Sequence, residues 1–294
     1  MQVSNIENAL SVCIGSEHTC AALADGTVWC WGSNEYGKLG QDYDEQGATH
    51  VPMQVSNIET ALSVSAGAHH TCAVLADGTV WCWGDHPTYD GEGFIHEPTQ
   101  IASFDTVTSV SAGEEHACAV LADGTVWCWG DNMSGQLGQG YSSIDGTRDP
   151  VQVPGIDTAK SISVGGFTSC AVLLSGAVTC WGDSWGGPRE WIGSSLFSIE
   201  RPAKVAFGDT SPETSFLSQS VSSGGMHTCA VLADGTVWCW GDDYYGKLGQ
   251  DPYDDEQGPT HVPVQVPGMN SVLSIDAGAH HTCAVLADGT VWCW

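Results

Sequence analysis

His70–Gly84 reads HTCAVLADGTVWCWG, and nearly the same words return at His18–Gly32, His116–Gly130, Thr168–Gly182 and His227–Gly241, with a sixth copy at His281–Trp294. The first Cys of each copy falls at 20, 72, 118, 170, 229 and 283, so the period lies between 46 and 59 residues. A period near fifty is that of propeller blades or solenoid turns. Inside each copy the apolar residues alternate with a period of two and are bounded by turn residues, which predicts strands rather than helices. In the second unit four short strands are expected: Met53–Val55, Ala61–Ser65, Thr71–Leu75 and Thr79–Trp83. The Ala-Asp-Gly between the last two fits a three-residue hairpin loop closed by glycine in the left-handed region. Four antiparallel strands repeated around an axis make a β-propeller, whose radial packing protects the sheet edges.

Composition limits the function classes. The chain has 294 residues, 42% of them hydrophobic, which is ample for a large core. Seven Lys and Arg stand against 35 Asp and Glu, a formal net charge of -28. So acidic a surface repels phosphate backbones and anionic lipid heads, which argues against nucleic acid and membrane partners. No apolar run has the ~18 to 20 residues of a membrane helix, and the N-terminus lacks a signal-peptide pattern. No phosphate-binding loop, H-E-x-x-H or dinucleotide fingerprint occurs.

Val110–Gly138 reads VSAGEEHACAVLADGTVWCWGDNMSGQLG. This resembles the regulator-of-chromosome-condensation repeat, and the resemblance covers essentially the whole chain. It implies an all-β propeller of four-stranded antiparallel blades, typically seven to a ring, where this chain supplies about six units. A six- or seven-bladed ring is therefore expected over residues 1–294. Met1–Glu7 repeats Met53–Glu59, and Trp294 falls inside a motif that elsewhere continues WG, so both ends look like a cut through a longer repeat protein. Were the ring to close at six, Met1–Val3 would lie beside Val291–Trp294.

Twelve of the 13 Cys form C-x9-C pairs: Cys20 with Cys30, Cys72 with Cys82, Cys118 with Cys128, Cys170 with Cys180, Cys229 with Cys239 and Cys283 with Cys293. Counting outward from the hairpin loop places each pair directly opposite, with Cα atoms about 4.5 to 5.5 Å apart, which points to one disulfide per blade. Metal is the competing reading, since His18 shares a face with Cys20 and Cys30. The fourth unit weighs against it, having Thr168 for His while keeping Cys170 and Cys180. Buried free thiols are a third reading. Disulfides imply an oxidising compartment, hence a secreted or cell-surface protein. Cys13 is left as a buried free thiol. The repeated His are expected to bond backbone within their own blades, and the W-x-W pairs to pack between blades.

Specificity is expected where units depart from the template. The stretch Asp183–Arg201 holds Trp185, Arg189, Trp191, Phe197 and Arg201, residue types that dominate contact surfaces, although they could equally fold their own loop onto the blade. A second variable set precedes the motif His: Glu17, His69, Glu115, Phe167, Met226 and His280, expected as a ring on one face near the axis. The acidic loops Asp42–Glu45 and Asp251–Glu256 hint at Ca²⁺ but match no calcium-loop pattern, so no cofactor or metal is expected. Asn132-Met133-Ser134 is one glycosylation-type triplet. The family includes secreted relatives that inhibit enzymes and others that scaffold surfaces. A noncatalytic interaction and scaffolding module is thus expected, binding a protein partner or copies of itself. A secreted enzyme inhibitor and a polysaccharide-acting hydrolase or lyase are the alternatives.

Overall fold

A computed structural model describes residues 3, 6–41, 48–85, 95–101, 104–183, 199–207, 217–250 and 260–294. The alternation read from the sequence becomes six antiparallel sheets, five of four strands and one of three. The chain folds as an all-β propeller of six blades, and the one helical segment among the described residues is a 3-10 turn at Glu35–Gly37. Blade one runs Ala9–Ile14, His18–Leu23, Val28–Gly32 and Thr49–Gln54, each strand paired with the one before. Blades two to six repeat this order from Ala61, Val107, Ala159, Ser218 and Val272.

The strand boundaries correct one expectation. Met53 lies opposite Cys30, so the strand that the sequence assigned to the second unit completes the first blade. Val55 N–H then donates to the Val28 carbonyl at 2.8 Å, and the chain crosses to blade two with Val55 and Ile58 fully buried. Returning antiparallel beside the W-C-W strand satisfies its free backbone edge at once, which a strand held over for the next blade would not do.

Five of the six hairpins are set by an A-D-G-T sequence, and blade four has Leu174-Ser175-Gly176-Ala177 in its place. Gly26 has φ +86°, and a Cβ there would lie 2.1 Å from the Glu59 carbonyl oxygen. Asp25 Oδ1 accepts from Thr27 N–H at 3.0 Å and from Thr27 Oγ1 at 2.7 Å, and Trp29 Nε1 donates to Thr27 Oγ1 at 3.1 Å. Those two bonds hold the Asp25 carboxyl below its ordinary range, as they do at Asp77, Asp123 and Asp288.

The hairpin registers the cysteines. Cys20 faces Cys30, Cys72 faces Cys82, and so on through all six pairs. All six are disulfides, with Cα atoms 4.1 Å apart, slightly nearer than expected. Six such bonds belong to an oxidising environment.

Strand alternation gives every blade two unlike faces. Between blades one and two, Cys20, Ala22, Val28, Cys30 and Leu39 meet Val64, Ala73, Leu75 and Trp83. The disulfide face of one blade therefore packs against the tryptophan face of the next, and the same pairing recurs at the following four boundaries. Trp83, Trp129, Trp181 and Trp240 are each at most 2% exposed. Burying an indole is worth on the order of 4 to 6 kcal/mol of transfer free energy, so these side chains dominate blade cohesion. Among the described residues, Val12 and Ile14 of blade one are 57% and 75% exposed, and Val291 of blade six is 63% exposed.

Two backbone devices knit the blades near the axis. Ser16 N–H donates to Gly67 O, Ala68 to Gly113, Glu114 to Gly165, Gly166 to Gly224, and Gly225 to Gly278, over 3.0 to 3.3 Å. A Cβ at Gly67 would lie 2.1 Å from the Gly113 oxygen, so this arc requires glycine. Beneath it, innermost-strand serines accept backbone N–H groups of the next blade: Ser65 from Ala112, Ser111 from Val164, Ser163 from Ser223 and Ser222 from Ala277, at 2.9 to 3.0 Å.

Candidate functional site: the axial face

The glycine arc positions the variable ring. Glu17, His69, Glu115, Phe167, Met226 and His280 each lie two residues beyond an arc glycine, on the turn between the first and second strands of a blade. Their backbone carbonyls are fixed by the chain leaving the W-C-W-G strand. Ser33 N–H donates to Glu17 O, Asp85 to His69, Asp131 to Glu115, Asp183 to Phe167 and Asp242 to Met226, at 2.8 to 2.9 Å. Five of the six ring residues thus have a second loop residue beside them, and in four blades that residue is Asp. Glu17, Glu115, Met226 and His280 are exposed, while His69 and Phe167 are half-buried.

The G-x-L-G loops end on the same face. Tyr36 packs edge-on to His69 at 4.9 Å, and Tyr245 to His280 at 6.0 Å, each pair spanning a blade boundary. Lys38 Nζ lies 3.4 Å from Glu17 Oε2, Lys247 Nζ lies 2.7 Å from Asp242 Oδ2, and Gln136 Nε2 donates to Asp131 Oδ2 at 2.8 Å. Both lysines are buried, so the face shows its carboxylates and hides these cations. Burial first, then Asp131 and Glu114, pushes the Glu115 carboxyl upward. Burial raises Asp85 as well, opposed by His69.

The repeated His correct a second expectation. His18 Nε2 lies 2.8 Å from Thr71 Oγ1, His116 Nε2 lies 2.9 Å from Ser169 Oγ, and His227 Nε2 lies 2.7 Å from Thr282 Oγ1. Each bond crosses to the next blade and reaches a hydroxyl, rather than backbone in the same blade. The hydroxyls in turn donate to the carbonyls of Lys38, Gln136 and Lys247, which also accept the indole N–H of Trp83, Trp181 and Trp294. The reason is steric: the His Cε1 and Nδ1 atoms already sit against the arc glycine of their own blade, leaving only Nε2 to point outward. These three loop residues were invisible as anchors in the sequence because they act through main-chain oxygens. The signal that could have found them is the G-x-L-G turn, kept only in units one, three and five.

The regulator of chromosome condensation (RCC1) repeat matches at residues 25–74, 123–172 and 234–285, and a second model of the same repeat at 10–38, 62–89, 107–136 and 219–247. The chain belongs to the RCC1 repeat family. It is 28% identical to the ultraviolet-B receptor UVR8 of Arabidopsis thaliana over 285 residues, which span 96% of this chain and 52% of UVR8. The chain thus spans about half the length of that curated relative. Human WBSCR16 has the same fold, with a TM-score of 0.84 at 22% identity over 99% of this chain and 78% of that one. Yeast RCC1 (Prp20) bound to Kap60 superposes with a TM-score of 0.79 at 21% identity, over 97% of this chain and 69% of that one.

Within this RCC1-type scaffold the loop patch expected at Trp185–Arg201 is only partly placed. Trp185, Arg189, Trp191 and Phe197 lie outside the described residues, as do the acidic loops Asp42–Glu45 and Asp251–Glu256. Arg201 is exposed on the fourth strand of blade four, its guanidinium stem against Gly140 of blade three. Among the described residues no three His, Cys, Asp or Glu side chains converge to hold a metal ion. The Asn132 side chain is buried and donates to the Tyr141 carbonyl, which removes that triplet as a glycan acceptor.

Proposed function

We propose that this RCC1-type propeller is a noncatalytic protein-binding and scaffolding module of an oxidising, extracellular or cell-surface setting, with a protein partner or further copies of itself as its target. One observation carries the reading. The paired Cys, the buried Trp and three of the repeated His are consumed in joining strands and blades, whereas the residues that differ between blades stand exposed or half-buried on the axial face. Unlike side chains on a rigid common frame suit recognition, because the frame holds them without loss of conformational entropy on binding. The six disulfides support the compartment, and the net charge of -28 supports protein over nucleic acid or membrane. Binding of RCC1-fold propellers to proteins has a precedent in the yeast complex with Kap60.

The loop patch of Trp185, Arg189, Trp191, Phe197 and Arg201 is the second contact surface in this reading. The test is a binding titration against the physiological partner with two variants, Met226→Ala/His280→Ala on the axial face and Arg189→Ala/Trp191→Ala on the loop. A loss of about thirtyfold in either variant, with an unchanged thermal midpoint, is expected. Full affinity in both would remove the reading.

A further inference from the structure

We propose that the axial face over blades one to three binds a lysine- or arginine-rich extended segment of a partner protein. This rests on the binding-module reading above and names the chemistry of its target. The Tyr36–His69 edge contact forms the centre of the surface. Around it stand Asp85, whose N–H donates to the His69 carbonyl at 2.9 Å, and Glu17 and Glu115 at the equivalent turn positions of blades one and three, with Glu35 next to Tyr36 and Glu114 next to Glu115 in the chain. These carboxylates act on one another and on the Tyr36 phenol, which Glu35, burial, Asp85 and Glu17 together push upward. Among the described residues the Lys in this part of the face, Lys38, is wholly buried against Glu17. The surface therefore offers aromatic edges and, among the described residues, more carboxylates than cations, side by side, on turns held by the glycine arc.

That pairing selects the ligand class. A neutral apolar segment would strip water from the carboxylates without replacing it, and an anionic one would be repelled. A guanidinium or ammonium satisfies both parts: it pairs with a carboxylate and lies against an aromatic ring. The rest of the chain adds long-range attraction of the same sign, so encounter is fast and salt-dependent. The second aromatic lobe, Tyr244, Tyr245 and His280 with Met226, lies further round the same face. It gives the apolar residues flanking a basic run a place to rest.

Fluorescence anisotropy with labelled oligolysine, oligoarginine and oligoglutamate at physiological salt tests the proposal on the full chain. Both basic peptides should bind and oligoglutamate should not. Asp85→Asn/Glu115→Gln should weaken the basic peptides about tenfold. Glu59→Gln/Asp105→Asn removes the same charge from the exposed turns at the opposite ends of the strands and should change binding less than about twofold. Equal losses in the two variants would mean attraction to the whole acidic surface, and no binding of the basic peptides would exclude the site; either result overturns the proposal. If the basic peptides fail while Met226→Ala/His280→Ala still weakens the physiological partner, the module reading stands and only the ligand assignment falls.

Discussion

His116 in blade three donates its Nε2 proton to Ser169 in blade four across 2.9 Å. The direction follows from the hydroxyl, whose single proton is given to the Gln136 carbonyl at 3.0 Å, so that Ser169 Oγ can only accept from the imidazole. The neutral Nε2–H tautomer is thereby selected, and Nδ1 stays unprotonated inside the blade. The same logic fixes His18 through Thr71 and His227 through Thr282. What a sequence reader would take for five candidate acid-base groups includes three neutral struts between blades.

Ser169→Ala should destabilise the fold by about 1 to 3 kcal/mol, the cost of leaving a buried imidazole N–H and the Gln136 carbonyl short of a partner. Urea unfolding of the two proteins measures it. A change near zero would show that water replaces the hydroxyl. Blade three carries Ala117 at the equivalent position, so the boundary between blades two and three is held without such a hydroxyl.

Acid should weaken the fold in a defined window. Burial holds the His18 and His116 side chains down from 6.5 to about 3, and His227 down to about 4. The unfolded chain therefore binds protons at these sites between about pH 6.5 and 3 while the folded one does not. Stability from this source is complete above about pH 6.5 and lost as pH falls toward 3, at up to about 1.4 kcal/mol per pH unit for each His. The thermal midpoint across pH 7 to 4 reads the effect, and His116→Gln should flatten the slope. An unchanged slope in that variant would place the acid sensitivity elsewhere.

Cys13 is the free thiol, half-buried against the core between blades one and two, and burial pushes it up to about 12. Its place in the innermost strand is that of Ser65, Ser111, Ser163 and Ser222, and it takes the backbone N–H of Ala66 as they take theirs. Iodoacetamide should label it slowly in the native protein and fully after denaturation, because thiolate is the reactive form. Cys13→Ser should be tolerated within about 1 kcal/mol, which calorimetry can check. Rapid native labelling would contradict that burial.

Replacing both members of the Cys118–Cys128 bond by Ala should cost about 2 to 3 kcal/mol, the value for a loop of this length. The loss should show as a lower denaturant midpoint with the fold retained. Peptide mapping of the parent protein should return the six bonds described and one free Cys.

Strand periodicity, hairpin loops and cysteine pairing were legible in the sequence because each is local: alternation sets the strand, A-D-G sets the loop, and the loop sets Cys20 opposite Cys30. The boundaries between blades were less legible. Met53 belongs with Cys30 rather than with Ala61, a choice made by which backbone edge is open. The His partners escaped too, since Thr71 lies 53 residues from His18 and only the ring curvature brings them together. The axial face was readable as a set of equivalent positions. Its pairing with Tyr36 and Tyr245 was not, because those aromatics come from a different loop.

The disulfides differ in shelter though not in spacing. In blades one to five both sulfur-bearing residues are at most 4% exposed, covered by the tryptophan face that follows, whereas Cys293 in blade six is exposed. Thiol exchange needs a thiolate to reach a sulfur in line. A reductant will therefore reach the five sheltered bonds only when neighbouring blades part. Their reduction rates would serve as a clock for blade separation, turning a chemical reagent into a reporter of breathing between blades that no change in secondary structure would reveal.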